Sequence, residues 1–369
     1  MTGRSRFFRK LRKTSSAEEK SEHRFHWSFV ISVFLLIFCL DKIFISETVL
    51  ARLVHWKRFE RISYSTRHHL FSQFLSEDLE KVKKGTRLIL ILGSSRSAAM
   101  NARQMQEKLD NTVIYNFSIP FPGPSYFYSV LEMFLEKGIR VDSILLEADE
   151  FSFLQDSLNY PFRFFHTFDF ILKHSPAVSN SGFTFFDCLH FFEYSLFAVL
   201  KNPVDFGVLK EKRNPELTEQ SVLLFQKANR ERNGGIFETF AEKPMTEMEL
   251  ERDSDLKLQM LLQNERNPYP NISQLNFYRK ILTVSAERNI PILVYSPPVS
   301  PVLKQKLHGK KKETVFVQRY LSAGVSSNVQ WLNLSKEDFD CLEFEDSLHL
   351  NRKCSLELTA RVLGGIPRK

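Results

Sequence analysis

The stretch Arg87-Leu88-Ile89-Leu90-Ile91-Leu92 runs directly into Gly93-Ser94-Ser95-Arg96-Ser97. A short apolar run that stops at glycine has the pattern of a strand buried on both faces. Strands buried on both faces belong to parallel sheets covered by helices. The flanking rhythm agrees. Residues 98–109 read as helix, 112–119 as a second strand, and Pro120, Pro122, Gly123 and Pro124 as a loop. Residues 126–137 form a helix closed by Gly138, and 142–148 a third strand. The alternation lapses from 151 to 271 and then resumes. Residues 273–289 read as helix, 290–295 as strand, 301–323 as largely helical, 329–334 as strand and 353–363 as a final helix. The expected fold class is α/β: residues 87–369 make one parallel sheet of about five strands covered by helices, with a long insertion at 151–271.

The insertion is rich in phenylalanine. The chain has 35, and fourteen lie between 151 and 206. Such a stretch reads as helices packing aromatics onto the core, with a lid, an acyl-chain pocket or a surface dipping into lipid as the sharper alternatives.

Upstream, residues 27–45 read WSFVISVFLLIFCLDKIFI. Apart from two serines, 27–40 offers no polar face, and nineteen residues at 1.5 Å rise nearly span a hydrocarbon core. No small-residue cleavage site follows, so the segment reads as an uncleaved signal anchor. The preceding residues, 1–26, hold eight Arg/Lys and three Glu, against Arg52, Lys57, Arg58 and Arg61 after the span. The Lys/Arg bias puts 1–26 in the cytoplasm and the body outside, facing the periplasm, as a single-pass protein of the inner membrane. Residues 46–86 look like a helical stalk.

The whole chain carries +8, of which +5 lies in that basic tail. A nucleic-acid-binding body would instead gather its charge on a folded element, so nucleic acid is not an expected partner. Cys39, Cys188, Cys341 and Cys354 show no metal-ligand spacing, and no metal or cofactor is expected; Cys341 and Cys354 have the option of pairing in an oxidising compartment.

Chemistry gathers at two places. Ser95 follows the first sheet strand and opens a helix, where free N–H groups favour developing negative charge. Asp346-Ser347-Leu348-His349 precedes the last helix, and an Asp three residues before a His can meet it on one helical turn. A serine after the first strand and a D-x-x-H block near the end resemble the SGNH/GDSL hydrolase superfamily, with its flavodoxin-like sheet. The G-S-S-R form, the anchor and the insertion are similar to its membrane-anchored branch. That branch includes DltD-like proteins of D-alanine transfer, alginate O-acetylation proteins and spirochaete DUF1574-type envelope proteins.

The resemblance covers residues 88–150 and 272–369. It implies Ser95 as nucleophile, His349 as general base and Asp346 as its orienting acid. The superfamily's oxyanion glycine is Ser118 here, and its G-x-N-D asparagine is replaced by the strand end Glu147-Ala148-Asp149-Glu150, whose acids, Asp149 above all, are expected to bind polar groups of the substrate but cannot replace a neutral amide donor. Asn116 and the Ser118 N–H are the expected substitutes. Arg96 is expected to meet a carboxylate or phosphate of the substrate, or to make an ion pair with an acid such as Asp149. The implied activity is O-acyl transfer or ester hydrolysis on a cell-envelope polymer or an acylated small molecule, beside a multi-span membrane O-acyltransferase. The alternative is a catalytically silent fold that binds envelope glycans or scaffolds the acylation complex.

Overall fold

The computed structural model describes residues 27–42, 59–119, 123–148, 151–153, 166–179, 185–197, 229–235, 244–266, 269–309, 328–334 and 339–366. The chain divides into two units: residues 1–55 with 193–213, and residues 56–192 with 214–369.

In the smaller unit, helix α1 (27–42) leaves Trp27, Phe29, Ile31 and Leu36 exposed. Its end is tied down: Phe34 and Phe38 meet the Phe197 ring edge-on at about 6 Å, and Lys42 donates to the Leu196 carbonyl. Among the described residues no helix is long and apolar enough to cross a membrane. Residues 43–45 of the expected span lie outside the described residues.

The larger unit is built on β1 (Arg87–Leu92), β2 (Thr112–Asn116), β3 (Ser143–Glu147), β4 (Ile292–Ser296) and β5 (Val329–Asn333). All four pairings are parallel, in the order β2-β1-β3-β4-β5. Leu90 pairs with Tyr115, Leu92 with Leu146, and Glu147 with Tyr295. Successive strand residues point to opposite faces, and the core divides accordingly. Leu88, Leu90 and Leu92 face one layer, made by α2 (Phe59–Glu77), α5 (Pro124–Glu136) and α8 (Tyr269–Glu287). Ile89 and Ile91 face the other, with Met105 of α4 (Ala102–Gln106) and Leu358 of α10 (Arg352–Gly364).

Three differences from the sequence reading have local causes. The expected helix 98–109 is two short ones, α3 (Ser95–Ala98) and α4. Asn116 Nδ2 donates to the carbonyls of Ser97 and Met100, both at 2.9 Å, and Asn101 caps the restart by accepting from Gln104 N. A side-chain amide thus takes carbonyls that helix continuation would have used. The expected stalk is also not a stalk over its described part. Leu70, Phe71 and Phe74 of α2 are buried, and Phe71 meets Phe134 of α5 edge-on at 4.8 Å. Finally, the described phenylalanines of the insertion divide. Phe153 packs on Tyr278 and Phe170 on Phe277, whereas Phe186 and Phe192 are exposed.

The insertion also touches the sheet edge. Asn116 N donates to the Asn233 carbonyl at 2.8 Å, and Gly234 bridges to Asn116. Gly234 has φ +97°, and a Cβ there would collide with the Asn116 carbonyl oxygen. By contrast Gly138, at φ +67°, closes α5 in open space, with Ile139 N donating to the Phe134 carbonyl. Gly138→Ala is expected to cost about 1–2 kcal/mol, the left-handed penalty alone. Gly234→Ala should cost more, because the collision with the Asn116 carbonyl is added to the same strain, and urea unfolding of the two variants checks the ranking.

Candidate active site

The carboxyl ends of β1 and β3 adjoin where the strand order reverses, the position at which doubly wound sheets bind ligands. The chain leaves β1 through Gly93. A Cβ at Gly93 would lie 2.8 Å from Glu147 Oε2, so the turn needs glycine for close approach. Ser94 then caps α3, its side chain accepting from Arg96 N. Ser95 is the first residue of that helix and half-buried.

The D-x-x-H block forms a hairpin rather than a helical turn. Phe344 and Leu350 pair antiparallel, and Glu345 N donates to the His349 carbonyl at 2.8 Å. Asp346 Oδ1 accepts from Leu348 N at 2.7 Å and His349 N at 2.8 Å, so the aspartate folds the turn with its own side chain. The three-residue spacing brings Asp and His together either way. The hairpin's base is closed by a disulfide between Cys341 and Cys354, Cα atoms 5.3 Å apart. Beside it, Asn351 caps α10 by accepting from Cys354 N.

These elements bring the three residues into line. Ser95 Oγ lies 2.6 Å from His349 Nε2, and His349 Nδ1 lies 2.8 Å from Asp346 Oδ2. An ionised carboxylate only accepts, so Nδ1 carries the proton and Nε2 is left to accept from the serine hydroxyl. Burial alone would raise the Asp346 pKa. The His349 hydrogen bond and charge, with the Leu348 and His349 amides, outweigh it and hold the carboxyl well below the usual range. About a quarter of each side chain is open to solvent, 22% for His349 and 24% for Asp346, so the pair is reachable. The arrangement can remove a proton from Ser95 and return it to a leaving group.

The other expected site residues are otherwise engaged. The Asn116 amide is spent on the Ser97 and Met100 carbonyls, and the Ser118 N–H donates to Asn116 Oδ1 at 3.0 Å. Neither donor is available to an oxyanion. The Ser118 Oγ, by contrast, is buried with no partner among the described residues. Arg96 turns inward and pairs with Glu147 at 2.7 Å, so its guanidinium serves that carboxylate. Asp149 lies outside the described residues. Among the described residues no His, Cys, Asp or Glu group is arranged to hold a metal.

Two groups of residues have roles that the sequence reading did not give. Glu147 gathers the serine turn: it accepts from Ser94 N at 2.9 Å, Ser94 Oγ at 2.6 Å, Arg96 Nη2 at 2.7 Å and the Ser97 hydroxyl. The hairpin is in turn gripped by α7 (Glu247–Arg266). Ser347 N donates to Asp253 Oδ2, Ser347 Oγ meets Ser254 Oγ at 2.8 Å, and Ser300 N donates to the Ser347 carbonyl. The capping pair Thr246 and Glu249, T-x-x-E in sequence, was a legible signal for the start of α7.

The disulfide encloses both Asp346 and His349. Replacing Cys341 and Cys354 by serine is expected to cost about 3 kcal/mol. Melting temperature with and without reductant measures the loss, which the double variant should no longer show.

No curated protein matches the chain. One family model matches residues 25–364, a span that includes the sheet, the serine turn and the Asp–His hairpin, and the chain therefore belongs to the family described as protein of unknown function (DUF1574).

Proposed function

We propose that the protein is an SGNH-type serine acyl-transfer enzyme, an O-acyltransferase or esterase of the bacterial cell envelope. The observation that carries this reading is the aligned Ser95–His349–Asp346 hydrogen-bond chain on a parallel sheet. Ser95 Oγ bonds to the acyl carbon of an ester as His349 Nε2 takes the hydroxyl proton. The ester C–O bond breaks, and the leaving oxygen takes that proton back. An acceptor hydroxyl, of water or of a sugar, then gives its proton to His349 and bonds to the acyl carbon; the bond from that carbon to Ser95 Oγ breaks, and Oγ takes the proton back from His349. Among the described residues the Ser95 N–H has no partner, which suits it to the developing oxyanion. The unpartnered Ser118 hydroxyl is the second candidate donor.

The body acts outside the cytoplasm, anchored by 27–45 with 1–26 inside, on an envelope carbohydrate or polymer and beside a multi-span membrane O-acyltransferase. The basic tail, the exposed apolar side chains of α1 and the Cys341–Cys354 disulfide support this location. A second reading, an SGNH-like fold without turnover that binds glycans, is favoured by the engaged Asn116 and Ser118 amides.

The test is hydrolysis of p-nitrophenyl acetate by the full chain in detergent, with and without added sugar acceptors. The acyl-transfer reading expects product release that Ser95→Ala removes. Equal rates in both proteins would overturn it in favour of the silent fold.

A further inference from the structure

The triad leaves a second polar network unused. Glu147 ends the central strand β3, and its side chain is wholly buried. Its partners among the described residues are Ser94, Arg96 and Ser97, the immediate neighbours of Ser95. Behind Ser97, the Tyr295 hydroxyl at the end of β4 donates to Ser97 Oγ at 2.6 Å. Burial first, and then the Glu147 charge, push that tyrosine far above its ordinary pKa, so it stays a donor. The carboxyl ends of β3 and β4 thus converge on the turn that leaves β1.

We infer that Glu147 is the positioning residue of the nucleophile, holding the backbone on both sides of Ser95 so that its hydroxyl meets His349. This rests on the acyl-transfer reading. The network has a chemistry that a neutral side chain cannot reproduce. Four donors converge on two oxygens: Ser94 O–H and Arg96 Nη2 on Oε1, Ser94 N–H and Ser97 O–H on Oε2. An ionised carboxylate offers about four acceptor sites and no donor, and so matches that set. Glutamine keeps the shape but points an NH2 group at two of the donors. Arg96, buried with it, balances the charge in a low-dielectric site. Among the described residues each of the Glu147 bonds goes to residue 94, 96 or 97, on the turn that carries Ser95. The geometry at stake is fine, because a misplacement of about 1 Å costs on the order of a hundredfold in rate.

The experiment is the rate of labelling of the full-length protein in detergent by a fluorophosphonate probe, followed against probe concentration. Near-UV circular dichroism gives the folded fraction to which each rate is normalised. Glu147→Gln is expected to lower the maximal labelling rate about 10- to 100-fold, with the half-saturating probe concentration unchanged within about twofold. Gly93→Ala, which drives a methyl group into the Ser97 side chain and, behind it, toward Glu147 Oε2, disturbs the Ser97–Glu147 bond and should move the maximal rate the same way. Tyr295→Phe keeps the core shape and removes one bond behind Ser97; it should slow labelling by a smaller factor, and it decides the matter where Glu147→Gln does not fold. A folded Glu147→Gln protein, or failing that a Tyr295→Phe protein, that labels at the wild-type maximal rate overturns the positioning role alone. A wild type that takes no label overturns the acyl-transfer reading itself.

Discussion

His349→Ala is expected to lower ester turnover by about 10⁶-fold, and Ser95→Ala by a similar factor, while the double variant is little worse than either. The reason is that the two side chains act as one unit. With Nε2 gone, the Ser95 hydroxyl, 2.6 Å from it in the wild type, keeps its proton and is a poor nucleophile. With Oγ gone, His349 has no nucleophile on the chain to activate. The fold should survive both changes. Ser95 is one half-buried hydroxyl on a turn, and His349 sits in a hairpin held by Asp346, Ser347 and the disulfide. Steady-state rates of the three variants, read alongside their melting temperatures, check the pattern. Additive losses would mean that the two residues contribute separately.

Asp346→Asn should cost about 10⁴-fold in rate. Asparagine can still accept from the Leu348 and His349 amides through its oxygen, so the turn persists. Its NH2 group then faces His349 Nδ1 and favours the tautomer that places the proton on Nε2, where it blocks acceptance from Ser95. The imidazolium formed in the reaction also loses its counter-charge. The same substitution changes acid sensitivity. A carboxyl whose pKa is lowered on folding stabilises the native state fully above the usual carboxylate value, and the contribution fades as pH falls through the folded value. The wild type should therefore lose melting temperature on acidification more steeply than Asp346→Asn. Parallel pH profiles of the two would show that the Asp346–His349 pair adds nothing to stability.

Local signals carried much of this fold in the sequence. The RLILIL run, glycine closing α5 and the return of strand–helix alternation after 271 each depend on residues a few positions apart. Asp346 and His349 were legible for the same reason, being spaced to meet; that Ser95, on the turn after β1, would join them was what the resemblance to the SGNH/GDSL superfamily implied. What stayed hidden was set by pairings across long stretches of chain. Nothing near residue 99 announces that Asn116 will take the Ser97 and Met100 carbonyls and break a helix there. Glu147 read as one of several acids at a strand end, because its partners lie about fifty residues upstream. The grip of Asp253 and Ser254 on Ser347 spans more than ninety residues, within a segment that read only as polar insertion.

The central claim is that Ser95 is a nucleophile activated by His349. Its most direct test is mass spectrometry of the full-length protein after reaction with a fluorophosphonate, followed by peptide mapping. The account predicts one adduct per chain, on the peptide that carries Ser95, formed by the wild type and not by His349→Ala. An adduct on another residue, or equal modification of Ser95 when His349 is absent, would contradict it.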